Sequence, residues 1–199
     1  MHNPKKNYKD GDAFTRMSKE AGYRSRASLK LKEILKRDLL IKQGMSVLDL
    51  GSFPGGWTQV IKENIGNEGL IVGVDLKKIN KINNTFFIQK SITELADSDF
   101  EEFNEKIPFD LVLSDMAPNI SGIRERDDAQ MINLIDSALS VIDKFLKKGG
   151  STLIKVFQGE CLDYTRNALR DRFKTCKVSK PSASRSNSKE TYLIGKGFI

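Results

Sequence analysis

A chain of 199 residues, 39% of them hydrophobic and 30% charged, is long enough for one α/β domain with a real core and too short for two comfortable ones. No apolar run approaches the ~20 residues that span a bilayer, and the opening stretch MHNPKKNYKDGD lacks the apolar centre of a secretory signal, so the expectation is a cytoplasmic protein with no membrane association. The net charge of +7 is unevenly placed: residues 1–42 carry 12 Lys/Arg against 5 Asp/Glu, residues 43–169 carry 13 against 19, and residues 170–199 carry 8 against 2.

Residues 1–22 are polar and read as a basic, loose N-terminal arm. SRASLKLKEILKRDLLI (25–41) places Leu29, Leu31, Ile34, Leu35, Leu39 and Leu40 on one face of a helix, with Ser25 as its N-cap. After Gly44, short apolar runs alternate with helical stretches. SVLDL (46–50), LIVGVD (70–75), TFFIQ (85–89), FDLVLSD (109–115) and STLIKVF (151–157) read as buried strands. Helices are expected near 56–65, 93–105, 129–147 and 162–173, and TCKVSK and ETYLIGKGF complete a set of seven strands. This alternation implies a doubly wound, mostly parallel sheet with helices on both faces and ligands at the carboxyl ends of the strands.

The turn in VLDLGSFPGGWTQVI (47–61) is informative because its glycines are wrongly spaced for a dinucleotide. A pyrophosphate on a helix N-terminus calls for G-x-G-x-x-G, whereas this turn reads G-x-x-x-G-G with Phe53 and Pro54 inside it, and no G-K-[ST] follows. Asp75, at the end of the second strand, is placed to accept hydrogen bonds from a ribose diol. An adenosine without a phosphate fits both features, and S-adenosylmethionine is such a ligand. Its positive sulfonium and amino group also suit the acidic middle of the chain.

Further along, LVLSDMAPNISG (111–122) ends a strand in Asp115 and runs into a Pro/Asn/Gly loop, where open α/β sheets carry functional groups. TLIKVFQGE (152–160) sets Lys155 inside an otherwise apolar strand, an unusual place for a lysine. SNSKETYLIG places Glu190 at the mouth of the last strand. Cys161 and Cys176 fall in no metal-ligand spacing, and His2 lies in the arm, so no metal site is expected.

Taken together, YRSRASLKLKEI, DLGSFPGGWTQ, SDMAPNISG, IKVFQGE and SRSNSKETYLIG resemble the FtsJ/RlmE-type ribose 2′-O-methyltransferases, in the same order and from about residue 7 to the C-terminus. The resemblance implies a Rossmann-like S-adenosylmethionine-dependent methyltransferase domain over residues 23–199, preceded by the arm of residues 1–22. It implies methylation of a uridine ribose in large-subunit ribosomal RNA, with that RNA, within the large subunit, as partner; no protein partner is implied, and a monomer is expected. It carries a Lys-Asp-Lys-Glu tetrad onto Lys30, Asp115, Lys155 and Glu190, with Lys32 and Lys36 as neighbours that a helical register alone does not separate from Lys30. Donor contacts fall on Gly55, Gly56, Trp57, Asp75, Ser91 and Asp115. Ser91 departs from the pattern, since the family often has an acidic residue there.

The chemistry asks for a base. A ribose 2′-hydroxyl must lose its proton as it attacks, and a free lysine, with a pKa of about 10.4, is protonated at neutral pH. Burial and a second ammonium both lower that value, so Lys155 is expected to be the proton acceptor, with Lys30 lowering its pKa and helping to hold the substrate. Asp115 would orient Lys155, and Glu190 would orient Lys30 or the ribose. Phosphates are expected on Lys5, Lys6, Lys9, Arg24 and Arg26 at the front and on Lys180, Arg185 and Lys189 behind, one basic track across the cleft.

Overall fold

The computed structural model describes residues 13–182 and 189–199. Seven strands form one sheet in the order β3-β2-β1-β4-β5-β7-β6. They are β1 (Ser46–Leu50), β2 (Leu70–Asp75), β3 (Phe86–Gln89), β4 (Phe109–Ser114), β5 (Leu146–Phe157), β6 (Phe173–Ser179) and β7 (Glu190–Phe198). β1 through β5 pair in parallel, while β7 inserts antiparallel between β5 and β6. This is the doubly wound, mostly parallel arrangement that the alternating pattern implied.

Two cores lie on either face. Along β1, Val47 packs with Leu31, Ile34 and Ile61 of helices α2 (Ala27–Asp38) and α3 (Gly56–Ile65). Leu48 and Leu50 point the other way, into a cluster with Met131 and Ile135 of α4 (Arg124–Phe145) and Leu169 of α5 (Glu160–Arg170). A period of two in a fully buried strand explains why SVLDL shows no polar face.

Several boundaries differ from the sequence reading, each for a local reason. Ala13–Glu20, inside the segment read as loose, forms helix α1. α2 begins at Ala27 with Arg26 in the cap position, so Ser25 is not its N-cap. The helix expected over 93–105 is instead two 3₁₀ segments, Ile92–Glu94 and Asp97–Lys106. Phe100 and Phe103, three residues apart, are both buried there, and a turn of three residues stacks such a pair on one side. α4 starts five residues early because Asp127 reaches back to accept hydrogen bonds from the Ser121 N–H (2.8 Å), Ser121 hydroxyl (2.7 Å) and Gly122 N–H (3.2 Å). Those donors hold the Asp127 carboxyl below the usual range, the Ser121 amide contributing most.

β1 and β4 are neighbours from which the chain winds outward in opposite directions. The loops that follow them, 51–55 and 115–123, therefore flank the crevice where an open α/β sheet holds a ligand. Gly51 adopts φ +74°, and a Cβ on it would stand 2.5 Å from Met116 Cγ, so bare backbone there lets the two loops meet. A second cavity of about 590 Å³, lined by Leu70, Phe86 and Phe103, lies at the opposite ends of β2 and β3.

Candidate active site

Lys155 is 7% exposed, near the end of β5, and stands directly opposite Tyr192 on β7. Its Nζ donates to the backbone carbonyl of Asp115 at 2.6 Å and lies 3.2 Å from Asp115 Oδ1. The Tyr192 hydroxyl donates to that same Oδ1 at 3.2 Å. Burial pushes the Tyr192 phenol well above its ordinary value, and the Asp115 and Glu190 carboxylates add to the effect. Tyr192 is thus a neutral donor that fixes Asp115 from within.

Glu190 sits two residues before Tyr192, hence on the same face of β7. Its Oε2 accepts from Lys30 Nζ at 2.6 Å, and Lys30 is 5% exposed. All four tetrad residues are brought together on the α2/α3 side of the sheet, as two amine–carboxylate pairs linked through β7. The three lysines of α2 face different ways. Lys30 points at Glu190, whereas Lys32 turns to the Tyr23 hydroxyl (3.0 Å) and Glu63 (3.5 Å), and Lys36 is exposed.

A cavity of about 670 Å³ opens at the carboxyl ends of β2, β3 and β4, with Asp75, Ser91, Met116, Pro118 and Asn133 in its wall. Asp75 accepts from the Phe53 N–H (2.9 Å) and the Lys77 N–H (2.8 Å), so it fixes the 51–55 loop as well as facing the cavity. Ser91 caps the short turn that follows it, accepting from the Thr93 N–H at 3.4 Å, while its own N–H reaches Glu94 Oε2 at 3.4 Å. Gly55 precedes α3, and Gly56 and Trp57 open it, where first-turn amides have no partner within the helix. The Trp57 indole is buried, donates to the Ala27 carbonyl (3.0 Å) and packs on Tyr192 with ring centres 5.9 Å apart. Its side chain therefore belongs to the interior.

Asp49 is a residue that the motifs alone do not single out. It is 0% exposed, its Oδ2 accepts from the Thr58 hydroxyl (2.8 Å), and among the described residues its Oδ1 has no partner. Burial pushes its carboxyl up to about 7, against the Thr58 hydrogen bond and helped by Asp115 and Asp75. The signal in the sequence is an aspartate inside an otherwise apolar strand, the same oddity that marks Lys155.

On the expected phosphate track, Lys180 and Lys189 are exposed and Arg26 is half-buried. Lys5, Lys6, Lys9 and Arg185 lie outside the described residues. Arg24 is exposed as well, with its guanidinium turned onto backbone carbonyls of the protein itself. Other terminal cations are also engaged internally: Lys177 with Asp38 (2.6 Å) and Arg172 with Asp143 (2.8 Å). Among the described residues, no group of three or more His, Cys, Asp or Glu could hold a metal ion, and no helix is long and apolar enough to cross a membrane.

The model of the FtsJ-like methyltransferases matches residues 23–198. The chain belongs to the FtsJ-like methyltransferase family. Among FtsJ-like relatives, it is 43% identical over 189 residues to the ribosomal RNA large subunit methyltransferase E of Hahella chejuensis, covering 94% of this chain and 91% of that one. The protein of the same name from Pseudomonas fluorescens is 43% identical over 190 residues, covering 94% and 90%. A crystal structure described as a ribosomal RNA methyltransferase from Plasmodium falciparum superposes with a TM-score of 0.80 at 30% identity, covering 89% of this chain and 99% of that one. As an FtsJ-like methyltransferase, the chain is an enzyme that takes a methyl group from a donor.

Proposed function

We propose that the protein transfers a methyl group from S-adenosylmethionine to the ribose 2′-hydroxyl of a uridine in large-subunit ribosomal RNA, acting in the cytoplasm. The observation that carries this reading is the meeting of two buried lysines with two carboxylates, Lys30 with Glu190 and Lys155 with Asp115, the last followed directly by Met116 in the wall of the cavity bordered by Asp75 and Ser91. The names of its relatives agree with it.

The residues present fit the donor. A cavity of about 670 Å³ is of the size that small-molecule sites occupy, and it offers the Asp75 carboxylate for a ribose diol. Asp75 would hold the ribose, Ser91 the adenine edge, the main chain of Gly55, Gly56 and Trp57 the loop side, and Asp115 the methionine end. When bound, S-adenosylmethionine supplies an electrophilic methyl on a sulfonium that leaves as a neutral thioether, keeping the electron pair of the broken S–C bond.

Everything else falls to the chain. Lys155 Nζ, entering the step as the neutral amine, takes the 2′ proton as the new O–C bond forms and leaves it as an ammonium. Asp115, held by Tyr192, fixes that amine through its carboxylate and its backbone carbonyl together. Lys30, anchored by Glu190, contributes positive charge against the oxygen that becomes partly anionic. Positioning two reactants in line supplies most of the remaining acceleration. The substrate is placed by phosphate contacts at Arg26, Lys180 and Lys189 and by RNA shape, since single-stranded or folded RNA is read that way. We also take residues 1–22 as an arm and residues 23–199 as the one catalytic domain.

The test is to map ribose methylation in ribosomal RNA from cells with and without the gene, then to repair the deficient subunits with purified protein and labelled donor. Loss of one uridine 2′-O-methyl group, restored in vitro, is expected. Unchanged ribosomal RNA together with an undermethylated transfer RNA would overturn the substrate assignment.

A further inference from the structure

Arg24 is solvent-exposed, yet its guanidinium is turned onto the protein. Nη1 donates to the carbonyl oxygens of Pro54 (3.2 Å) and Asn80 (2.8 Å), and Nη2 donates to that of Lys81 (3.2 Å). Its own N–H donates to Gln59 Oε1 at 2.8 Å, and Gln59 Nε2 returns a bond to the Gly22 carbonyl at 3.0 Å. The backbone of Arg24 is thereby tied to α3, while its guanidinium bridges the loop after β1 to the segment after β2.

The neighbouring glycine is matched to this bridge. Gly55 adopts φ +103°, and a Cβ on it would stand 2.8 Å from Arg24 Nη1 and 3.1 Å from Ile82 Cδ1. Bare backbone at residue 55 leaves room for the fork. Asp75 grips the same loop from the opposite side through the Phe53 N–H. Residues 52–55 are therefore clamped between a carboxylate that collects amides and a guanidinium that collects carbonyls. The guanidinium reaches these carbonyls from two nitrogens held in one plane, whereas an ammonium would have to reach them from a single nitrogen.

From this geometry we infer that Arg24 is a positioning residue for the methyl donor, holding Pro54 against Asn80 and Lys81 so that the Gly55–Trp57 amides and Asp75 keep the arrangement the donor needs. The inference rests on the proposed function only in taking this loop as the donor's seat. A phosphate contact at Arg24 would depend on its charge, whereas a clamp depends on its fork. Arg24→Lys separates the two because it keeps the charge.

The experiment measures binding of S-adenosylhomocysteine by calorimetry, without RNA, to the full-length wild type, Arg24→Lys, Arg24→Ala and Gln59→Leu, the last loosening the Arg24 backbone while leaving its charge. Filter binding of a ribosomal RNA fragment and steady-state kinetics run alongside. Losing charge-assisted hydrogen bonds weakens binding of S-adenosylhomocysteine by about tenfold in Arg24→Lys and Arg24→Ala alike, raises the donor KM more than it lowers kcat, and leaves RNA affinity of Arg24→Lys within about twofold of wild type. Gln59→Leu shifts donor affinity in the same direction. Wild-type donor affinity in Arg24→Lys, with RNA binding lost only in Arg24→Ala, would overturn the inference alone. Failure of the wild type to bind S-adenosylhomocysteine would overturn the donor reading and this inference with it.

Discussion

Lys155 on β5 and Tyr192 on β7 stand directly opposite each other, and both converge on Asp115 Oδ1 at 3.2 Å. One carboxylate oxygen thus meets an amine and a neutral hydroxyl from adjacent strands. The other pair of the site, Lys30 and Glu190, is attached to the same stretch of β7. Slipping the β5–β7 register by one residue would turn Tyr192 and Glu190 to the other face and dismantle both pairs.

Tyr192→Phe removes the hydroxyl and leaves the ring that packs on Trp57. Losing a hydrogen bond to a charged group costs about 1.5–3 kcal/mol, so methyl transfer is expected to fall by roughly ten- to a hundredfold, with donor affinity little changed. Single-turnover rates and calorimetry on the same preparation check this. A drop in donor affinity with an unchanged rate would place the hydroxyl's role elsewhere.

Lys30 and Glu190 act as a unit if the 2.6 Å bond between them matters to function. Lys30→Met and Glu190→Gln, alone and combined, form a double-mutant cycle. Groups in direct contact are expected to couple by about 0.5–3 kcal/mol, so the double variant loses clearly less activity than the two single losses combined. Independent losses would show that the two residues serve the substrate separately.

Asp49 makes stability depend on pH. Its carboxyl is raised from 3.8 to about 7 in the folded protein, chiefly by burial. Between those values the native state holds a proton that the unfolded chain has released, so stability falls as pH rises through that window, by at most about 1.4 kcal/mol per pH unit. Below it both states are protonated and the effect is absent. Asp49→Asn keeps an acceptor for Thr58 and removes the titration. Urea unfolding from pH 4 to 7 is expected to show a flatter stability profile for this variant than for wild type; parallel profiles would contradict the assignment.

Ser91 stands where a carboxylate is expected by family pattern, and its hydroxyl caps the Ile92–Glu94 turn. Aspartate is an equally good cap, so Ser91→Asp keeps the turn while adding a charged acceptor at the cavity wall. Donor affinity is expected to rise by about threefold to tenfold, in line with one added charge-assisted hydrogen bond. Unchanged or weaker binding would remove residue 91 from the adenine contact.

Much of the fold and half of the site's logic are legible in the order of the residues. The bounds of β1, α3 and β2 follow directly from a short, mainly apolar run, a glycine turn and a second such run. Lys155 stands out as a lysine in an apolar strand. Other features leave no trace in spacing. Phe100 and Phe103 satisfy a 3₁₀ turn as well as an α-helix, so the pattern over 97–106 does not choose between them. RERDD, the first turn of α4, has no apolar periodicity, and its start is fixed by Asp127 folding back on Ser121. The pairing of each amine with its carboxylate depends on strand register across distant segments. Arg24 reads as one more surface cation because nothing in a linear sequence tells which way a guanidinium turns.

The most direct measurement is single-turnover methyl transfer to undermethylated large subunits by Lys155→Ala, with S-adenosylhomocysteine affinity and melting temperature recorded on the same protein. General-base chemistry contributes roughly a hundred- to ten-thousandfold, and a loss of that size with donor binding intact is the predicted result. A rate close to that of the wild type would contradict it.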